Sequence, residues 1–163
     1  MRPTKDEWLL ELAGVVAKRG TCVRRQVGCV LADEVGHVLA TGYNGVTSGA
    51  PHCNEGWLCS GAGLPSGQGL DLCEAVHAEQ NALLQCRDVS RIYTCYVTVS
   101  PCVTCAKLLM NTACQRVVYA NRYAHDEVAQ QFWAPHLVTS PAVRPYYEWR
   151  RPRAEEANDA DRE

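Results

Sequence analysis

Apolar residues in the first twenty positions recur at helical spacing: Trp8, Leu9, Leu12, Val15 and Val16, running out at Gly20. Thr4-Lys5-Asp6-Glu7 just ahead of them has capping-box spacing, in which a hydroxyl and a carboxylate three residues apart each bind the other's backbone N–H. The pattern predicts a first helix with that stripe packed on the core. The period then changes to that of strands. Residues 26–32 and 37–43 are apolar and β-branched, with Asp33-Glu34-Val35-Gly36 between them, which predicts a hairpin.

Residues 44–70 are rich in Gly, Ser and Pro and too long for an idle connection in a compact domain, so they read as a functional loop. Further on, the pattern predicts a helix over 73–85, a strand over 92–99, a helix over 102–112, a strand over 116–120, a short helix over 126–132 and a strand over 136–139. Strands alternating with helices imply an α/β fold: a mostly parallel sheet covered on both faces and reached through an antiparallel hairpin. Ligands in such folds gather beyond the carboxyl ends of the strands. From Pro141 the composition turns to Pro, Arg and aromatic residues and then to acids. The expected organisation is one domain over 1–140 and a C-terminal extension over 141–163 ending in a solvated acidic tail, with Arg150, Arg151 and Arg153 as a surface patch.

A chain of 163 residues, 47% apolar, suits a single domain with one core. Its first residues lack the apolar run of an export signal, and no stretch is long and uncharged enough to span a bilayer, so a cytoplasmic protein without membrane contact is expected. In that setting the ten cysteines read as thiols, some of them metal ligands, rather than as a disulfide framework. A formal net charge of −2 offers no global positive field for nucleic acid, whereas a small phosphorylated ligand needs only a local cation or two.

Chemistry concentrates in His77-Ala78-Glu79 and Pro101-Cys102-Val103-Thr104-Cys105. Zinc held by three protein ligands keeps its fourth position for water. His77, Cys102 and Cys105 are the candidate ligands, and Glu79 is a free carboxylate able to move a proton beside them. Taken alone, Cys102 and Cys105 also read as a redox pair or a structural zinc knuckle; both halves in this order make the H-x-E and P-C-x-x-C pattern of zinc nucleobase deaminases. Cys102 and Cys105 open a predicted helix, whose N-terminus favours thiolate over thiol, and Pro101 suits its start. Because His77 and Glu79 are two positions apart, they cannot share a face of an ideal helix. They are predicted to lie in or near a first turn and to flank the pocket from different directions.

With these residues set out, the chain resembles the deoxycytidylate (dCMP) deaminase family of the zinc cytidine deaminase-like superfamily. The segments that carry the likeness are Cys22-Val23-Arg24-Arg25-Gln26-Val27-Gly28, Thr41-Gly42-Tyr43-Asn44-Gly45, Cys73-Glu74-Ala75-Val76-His77-Ala78-Glu79-Gln80-Asn81-Ala82 and Val97-Thr98-Val99-Ser100-Pro101-Cys102. The resemblance implies a three-layer α-β-α cytidine deaminase-like fold with a central mixed sheet of about five strands. It implies hydrolysis of dCMP to dUMP and ammonia, feeding thymidylate synthesis, with Glu79 protonating ring N3 and then the departing amine.

Asn44 is carried over as a sugar or phosphate contact, Tyr123 as an aromatic near the base, and the Ala78 N–H and Ser100 carbonyl as contacts to the base. Arg24 and Arg25 are the physical choice for the 5′-phosphate, because guanidinium matches phosphate bidentately; their plainer reading is a solvated basic pair. Some members of the family hold a structural zinc, for which Cys22, Cys53, Cys59 and Cys73 are the candidate ligands, with His52 as a substitute for one thiol. Cys29, Cys86, Cys95 and Cys114 are assigned to packing. Mg²⁺ is expected only with a dCTP/dTTP regulatory site, and a homo-oligomer, dimer or hexamer, is expected by resemblance. The alternatives are a deaminase of another cytosine nucleotide or of tRNA adenosine, and a zinc-stabilised binding module without turnover.

Overall fold

In the computed structural model of the chain the described residues are 2–65, 68–69, 72–123, 125–138 and 146–151. In chain order the elements are α1 (Lys5–Ala17), β1 (Gly28–Ala32), β2 (Val38–Tyr43), β3 (Gly45–Val46), β4 (Ala75–Val76), α2 (Ala78–Gln85), β5 (Thr94–Val99), α3 (Val103–Met110), β6 (Arg116–Asn121), α4 (Glu127–Gln130), β7 (Ala134–Val138) and β8 (Tyr146–Arg150). The main sheet has six strands in the order β2-β1-β5-β6-β8-β7, and β3 and β4 form a separate two-stranded ladder.

The fold is the expected three-layer α/β arrangement with a mixed sheet. Val30, Ala32, Tyr96, Val118 and Tyr146 face α1, which contributes Leu9 and Ala13. Cys29, Leu31, Cys95, Val97, Val117, Tyr119 and Trp149 face the other way, against Ala78 and Ala82 of α2, Ala106 and Leu109 of α3 and Ala129 of α4. Every residue of β1 is buried because helices cover both of its faces. Cys29, Cys95 and Cys114 are wholly buried packing residues, while Cys86 is half-buried at the end of α2.

Several expectations need correction. The sheet is not mostly parallel: β5 and β6 pair parallel through the α3 crossover, but β1/β2, β1/β5, β6/β8 and β7/β8 are antiparallel. Alternation of strands and helices does not by itself set direction; only a crossover that returns to the same edge makes a parallel pair. The second helix begins at Ala78 rather than 73, because Ala75 and Val76 are taken up in pairing with Val46 and Gly45. The stretch assigned to an extension supplies β8, which lies inside the sheet between β6 and β7; its signal was the concentration of strand-favouring aromatics in Tyr146-Tyr147-Glu148-Trp149. Arg151 is not part of a surface patch: its guanidinium donates to the carbonyls of Met110 (2.8 Å) and Thr112 (3.1 Å), where α3 ends. Arg153 and the acidic tail lie outside the described residues.

Helix α1 starts on the capping box, with Thr4 Oγ1 accepting from Glu7 N at 3.2 Å and Glu7 Oε2 accepting from Thr4 N at 2.7 Å. Its buried stripe differs from the predicted one. Leu9, Ala13 and Ala17 face the sheet, whereas Trp8 and Val15 are 49% and 58% exposed. A Cβ at Gly28 would lie 2.1 Å from Ala13 O, so the helix backbone rests directly on β1 and only small residues fit beneath it. Among the described residues no helix is long and apolar enough to cross a membrane.

One polar anchor complements this packing. Asp6 accepts from Tyr96 Oη at 2.6 Å, from Arg116 Nη2 at 2.8 Å and from Tyr146 Oη at 3.3 Å, and Arg116 Nε reaches Glu148 at 2.7 Å. Burial alone would push the Asp6 carboxyl up, but the bonds from Arg116 and Tyr96 outweigh it and hold its pKa below the ordinary value. A depressed carboxyl stabilises the fold fully above its unfolded pKa and loses that contribution as pH falls through the folded one. Asp6→Asn is therefore expected to cost about 2 kcal/mol in urea unfolding at pH 7, as for a charged hydrogen bond, with the gap from wild type closing below about pH 3.5. A gap independent of pH would mean that the charge contributes nothing.

Candidate metal centre and active-site pocket

Two helix N-termini build the site. His77 is the residue before α2 and Cys102 the residue before α3, both in extended conformation, and Cys105 is in the first turn of α3. The turn at His77 is held by Gln80, whose Oε1 accepts the His77 N–H at 2.9 Å, and by Asn81, whose Nδ2 donates to Tyr43 O at 2.8 Å. Helix α2 also lies very close to the sheet: a Cβ at Gly42 would come within 2.2 Å of Ala78 O and 2.3 Å of Ala82 N. That approach carries His77 to the cysteines.

His77 Nδ1 lies 3.5 Å from Cys102 Sγ and 3.4 Å from Cys105 Sγ. Among the described residues, these three form the one group of potential ligands whose donor atoms all lie within 4.8 Å of one another. Tetrahedral zinc with ordinary Zn–N and Zn–S bonds sets nitrogen and sulfur about 3.6 Å apart, so the donor set fits that ion. The dithiol is electrostatically split. A hydrogen bond from Cys105, helped by His77, brings the Cys102 thiol down to about 4, while the same partnership and burial raise Cys105. His77 is raised, chiefly by its hydrogen bond to Cys102. A cation held there would take the place of the shared protons.

Glu79 points into the same pocket from the first turn of α2, and only 4% of it is exposed. Burial pushes its carboxyl up, against the pull of its own backbone N–H and of His77. It stands beside the donor set without belonging to it. The expectation that His77 and Glu79 lie in or near a first turn is met, and both line the pocket.

The pocket brings all the predicted substrate residues together: Arg24, Arg25, Asn44, Ala78, Ser100 and Tyr123 line it, with Val27 and Val99, which the sequence reading did not single out. Arg24 donates to the carbonyls of Pro65 and Gln68, tying the long loop to the pocket. Asn44 spends its amide on the backbone, accepting from Val27 N and donating to Arg25 O, both at 2.8 Å. It thereby holds the segment that carries Arg25. The Tyr123 hydroxyl is buried without a hydrogen-bond partner among the described residues.

Cys22, Cys53, Cys59 and Cys73 share one neighbourhood at the base of the loop. Cys53 and Cys59 lie close enough to shift each other, helping to raise the Cys53 thiol and lower that of Cys59, and Cys22 and Cys73 lie within electrostatic range. Their sulfurs do not close to the spacing of the first group.

The pattern of the cytidine and deoxycytidylate deaminase zinc-binding region matches residues 3–121. The chain belongs to this family. It is 40% identical over 129 residues to a deoxycytidylate deaminase of Schizosaccharomyces pombe and 38% identical over 137 residues to one of Saccharomyces cerevisiae. Those matches cover 77% and 78% of this chain but only 39% and 41% of the yeast proteins, so it spans about two fifths of their length. Deoxycytidylate deaminase of Mycobacterium phage D29 is 39% identical over 123 residues, which are 72% of this chain and 95% of the phage protein. A crystal structure of dCMP deaminase from the cyanophage S-TIM5 in complex with dCMP and dUMP superposes with a TM-score of 0.61 at 28% identity, covering 80% of this chain and 93% of that one.

Gly42→Ala tests the packing that assembles the site. The added methyl group is expected to push α2 from β2, to cost about 1–3 kcal/mol as overpacking does, and to weaken zinc retention against a chelator. Zinc retention equal to that of wild type would show that the contact does not position His77.

Proposed function

We propose that this chain deaminates dCMP hydrolytically, forming dUMP and ammonia and so feeding thymidylate synthesis in the cytoplasm. One observation carries the reading: a desolvated carboxylate, Glu79, shares a pocket with the His77/Cys102/Cys105 donor set and with two arginines. A purely structural metal site has no use for an unligated acid beside it. The deaminases named among the relatives, and the cyanophage enzyme crystallised with dCMP and dUMP, support the choice of nucleotide.

His77 Nδ1 and the sulfurs of Cys102 and Cys105 would hold the zinc. When bound, the metal supplies the Lewis acidity that makes hydroxide available near neutral pH. Glu79 accepts a proton from the attacking water and passes it to ring N3 as oxygen bonds to C4. The remaining hydroxyl proton then travels through the same carboxylate to the amine as the C4–N bond breaks, leaving a carbonyl and ammonia. A carboxyl raised by burial is suited to both transfers, since it gives up its proton more readily near neutrality than an alcohol and holds it better than an exposed acid. The Ala78 N–H and the Ser100 carbonyl orient the base, and Tyr123 packs beside it. Arg24 and Arg25 take the 5′-phosphate; Arg24 keeps further N–H donors beyond those bound to the loop carbonyls.

A second, structural zinc on Cys22, Cys53, Cys59 and Cys73 is part of the proposal. Its support is the proximity of Cys53 and Cys59 to each other and to the other two. His52, whose buried Nδ1 lacks a hydrogen-bond partner among the described residues, is the substitute ligand. We assign residues 1–140 together with β8 to the deaminase domain, acting in a homo-oligomer.

Glu79→Gln is expected to keep its zinc and to lose at least ~10²-fold in turnover, the low end for a general acid and base. Near-normal turnover would remove Glu79 from the mechanism. Ammonia release measured with dCMP, cytidine, dCTP and a tRNA anticodon stem-loop tests the substrate, and release from the tRNA alone would overturn it. Repeating the dCMP assay with dCTP, dTTP and Mg²⁺ decides whether the chain is regulated as some of the family are. Zinc measured per chain should drop by one equivalent in Cys53→Ser; an unchanged count removes the second site.

A further inference from the structure

The pocket wall made by Ser100 and Tyr123 joins the end of β5 to the turn after β6, and side-chain bonds hold the two together. Ser100 Oγ accepts the Tyr123 N–H at 2.6 Å and donates its own proton to Asp126 Oδ2 at 2.9 Å. Asp126 is fully buried and does not line the pocket. Its other oxygen accepts from Arg122 Nη2 and Gln130 Nε2, both at 2.8 Å.

The polarity of this chain is fixed. An ionised carboxylate only accepts, so Ser100 spends its one proton on Asp126 and keeps its lone pairs for the Tyr123 N–H. Asp126 accepts from Ser100 and, at 3.3 Å, from Arg122 Nε on Oδ2, and from Arg122 Nη2 and Gln130 on Oδ1. An asparagine there offers one carbonyl oxygen and one amide, and so cannot serve both sides. Arg122 and Ser100 hold the Asp126 carboxyl below its ordinary pKa despite burial, consistent with an acceptor throughout the working pH range.

We infer that Asp126 is a positioning residue for nucleotide binding: acting through Ser100 Oγ, it sets the spacing between the Ser100 carbonyl and Tyr123, and thereby the grip of the pocket on the pyrimidine. This rests on the reading of the pocket as a dCMP site. The zinc ligands are not in the network, so metal binding and the proton transfers of Glu79 stand apart from it.

The test uses the zinc-loaded full chain and its variants Asp126→Asn, Ser100→Ala and the double substitution. Dissociation constants for dUMP, measured without turnover, are compared with KM and kcat for dCMP. Each single variant is expected to weaken dUMP binding and raise KM about tenfold, the effect of one lost charge-assisted hydrogen bond, with zinc content unchanged and kcat far less affected. The double variant is expected to be no worse than the weaker single one, because the two residues act in series. Additive losses, or an Asp126→Asn variant that binds dUMP as wild type does, overturn the inference alone. A wild-type chain that binds neither dUMP nor dCMP overturns the substrate reading and this inference with it. Should Asp126→Asn fail to fold, Ser100→Ala decides: it removes the hydroxyl that bridges Asp126 and the Tyr123 N–H but keeps the Ser100 N–H bond to Asn121 O, and unchanged dUMP affinity would sink the idea.

Discussion

The close approach of α2 to β2, and the start of α3 directly after β5, bring two helix N-termini to face each other across a few ångströms. Gly42 permits the first, since its missing Cβ is the space that Ala78 and Ala82 occupy. Pro101 and the end of β5 set the second. With both in place, His77, Cys102 and Cys105 meet at 3.4–3.5 Å without any loop having to be ordered for the purpose. Both helices also present N-terminal N–H groups and positive dipole ends to this region, which favours thiolate at Cys102.

Burial serves two purposes in the molecule. At α1 it concentrates Asp6, Arg116 and Glu148 into a paired anchor in which each charge has partners. In the pocket it leaves Glu79 short of compensation, so that its carboxyl is raised where Asp6 and Asp126 are lowered. The contrast is one of neighbours: Asp6 and Asp126 each face a guanidinium, whereas Glu79 faces an imidazole and thiols. Around it, the walls are tied by side chain to backbone rather than by the sheet. Asn44 holds residues 25–27, Ser100 holds Tyr123, and Arg24 holds the long loop. Chain segments outside regular elements can be placed accurately only in this way, because they lack ladder bonds of their own.

Local signals in the sequence were sufficient for the elements that depend on local chemistry. The capping box of α1, the hairpin around Asp33-Glu34-Val35-Gly36 and the two turns that carry the metal ligands are each written within a few residues. The candidate ligand set could be read from His77-Ala78-Glu79 and Cys102-x-x-Cys105 because zinc demands particular donors at close spacing, and the family likeness added the other residues that line the pocket. The start of α2 was misplaced because β4 pairs with β3, a partner about thirty residues away. The buried face of α1 was misjudged for a related reason: Trp8 and Val15 have the right period, but contact with Gly28 selects the small residues instead.

Residue order alone supplies the atoms available for chemistry: three candidate metal donors, one acid outside that set, two arginines and the helical turns that present them. Only the tertiary structure decided strand direction, the insertion of β8 within the sheet and the employment of Arg151 at the end of α3. It alone also decided that Asp126 stands behind Ser100. The physical reason is range. Caps, turns and ligand spacings are settled by interactions between neighbours in the chain, whereas pairing partners and buried acceptors depend on segments that meet only after the sheet has formed.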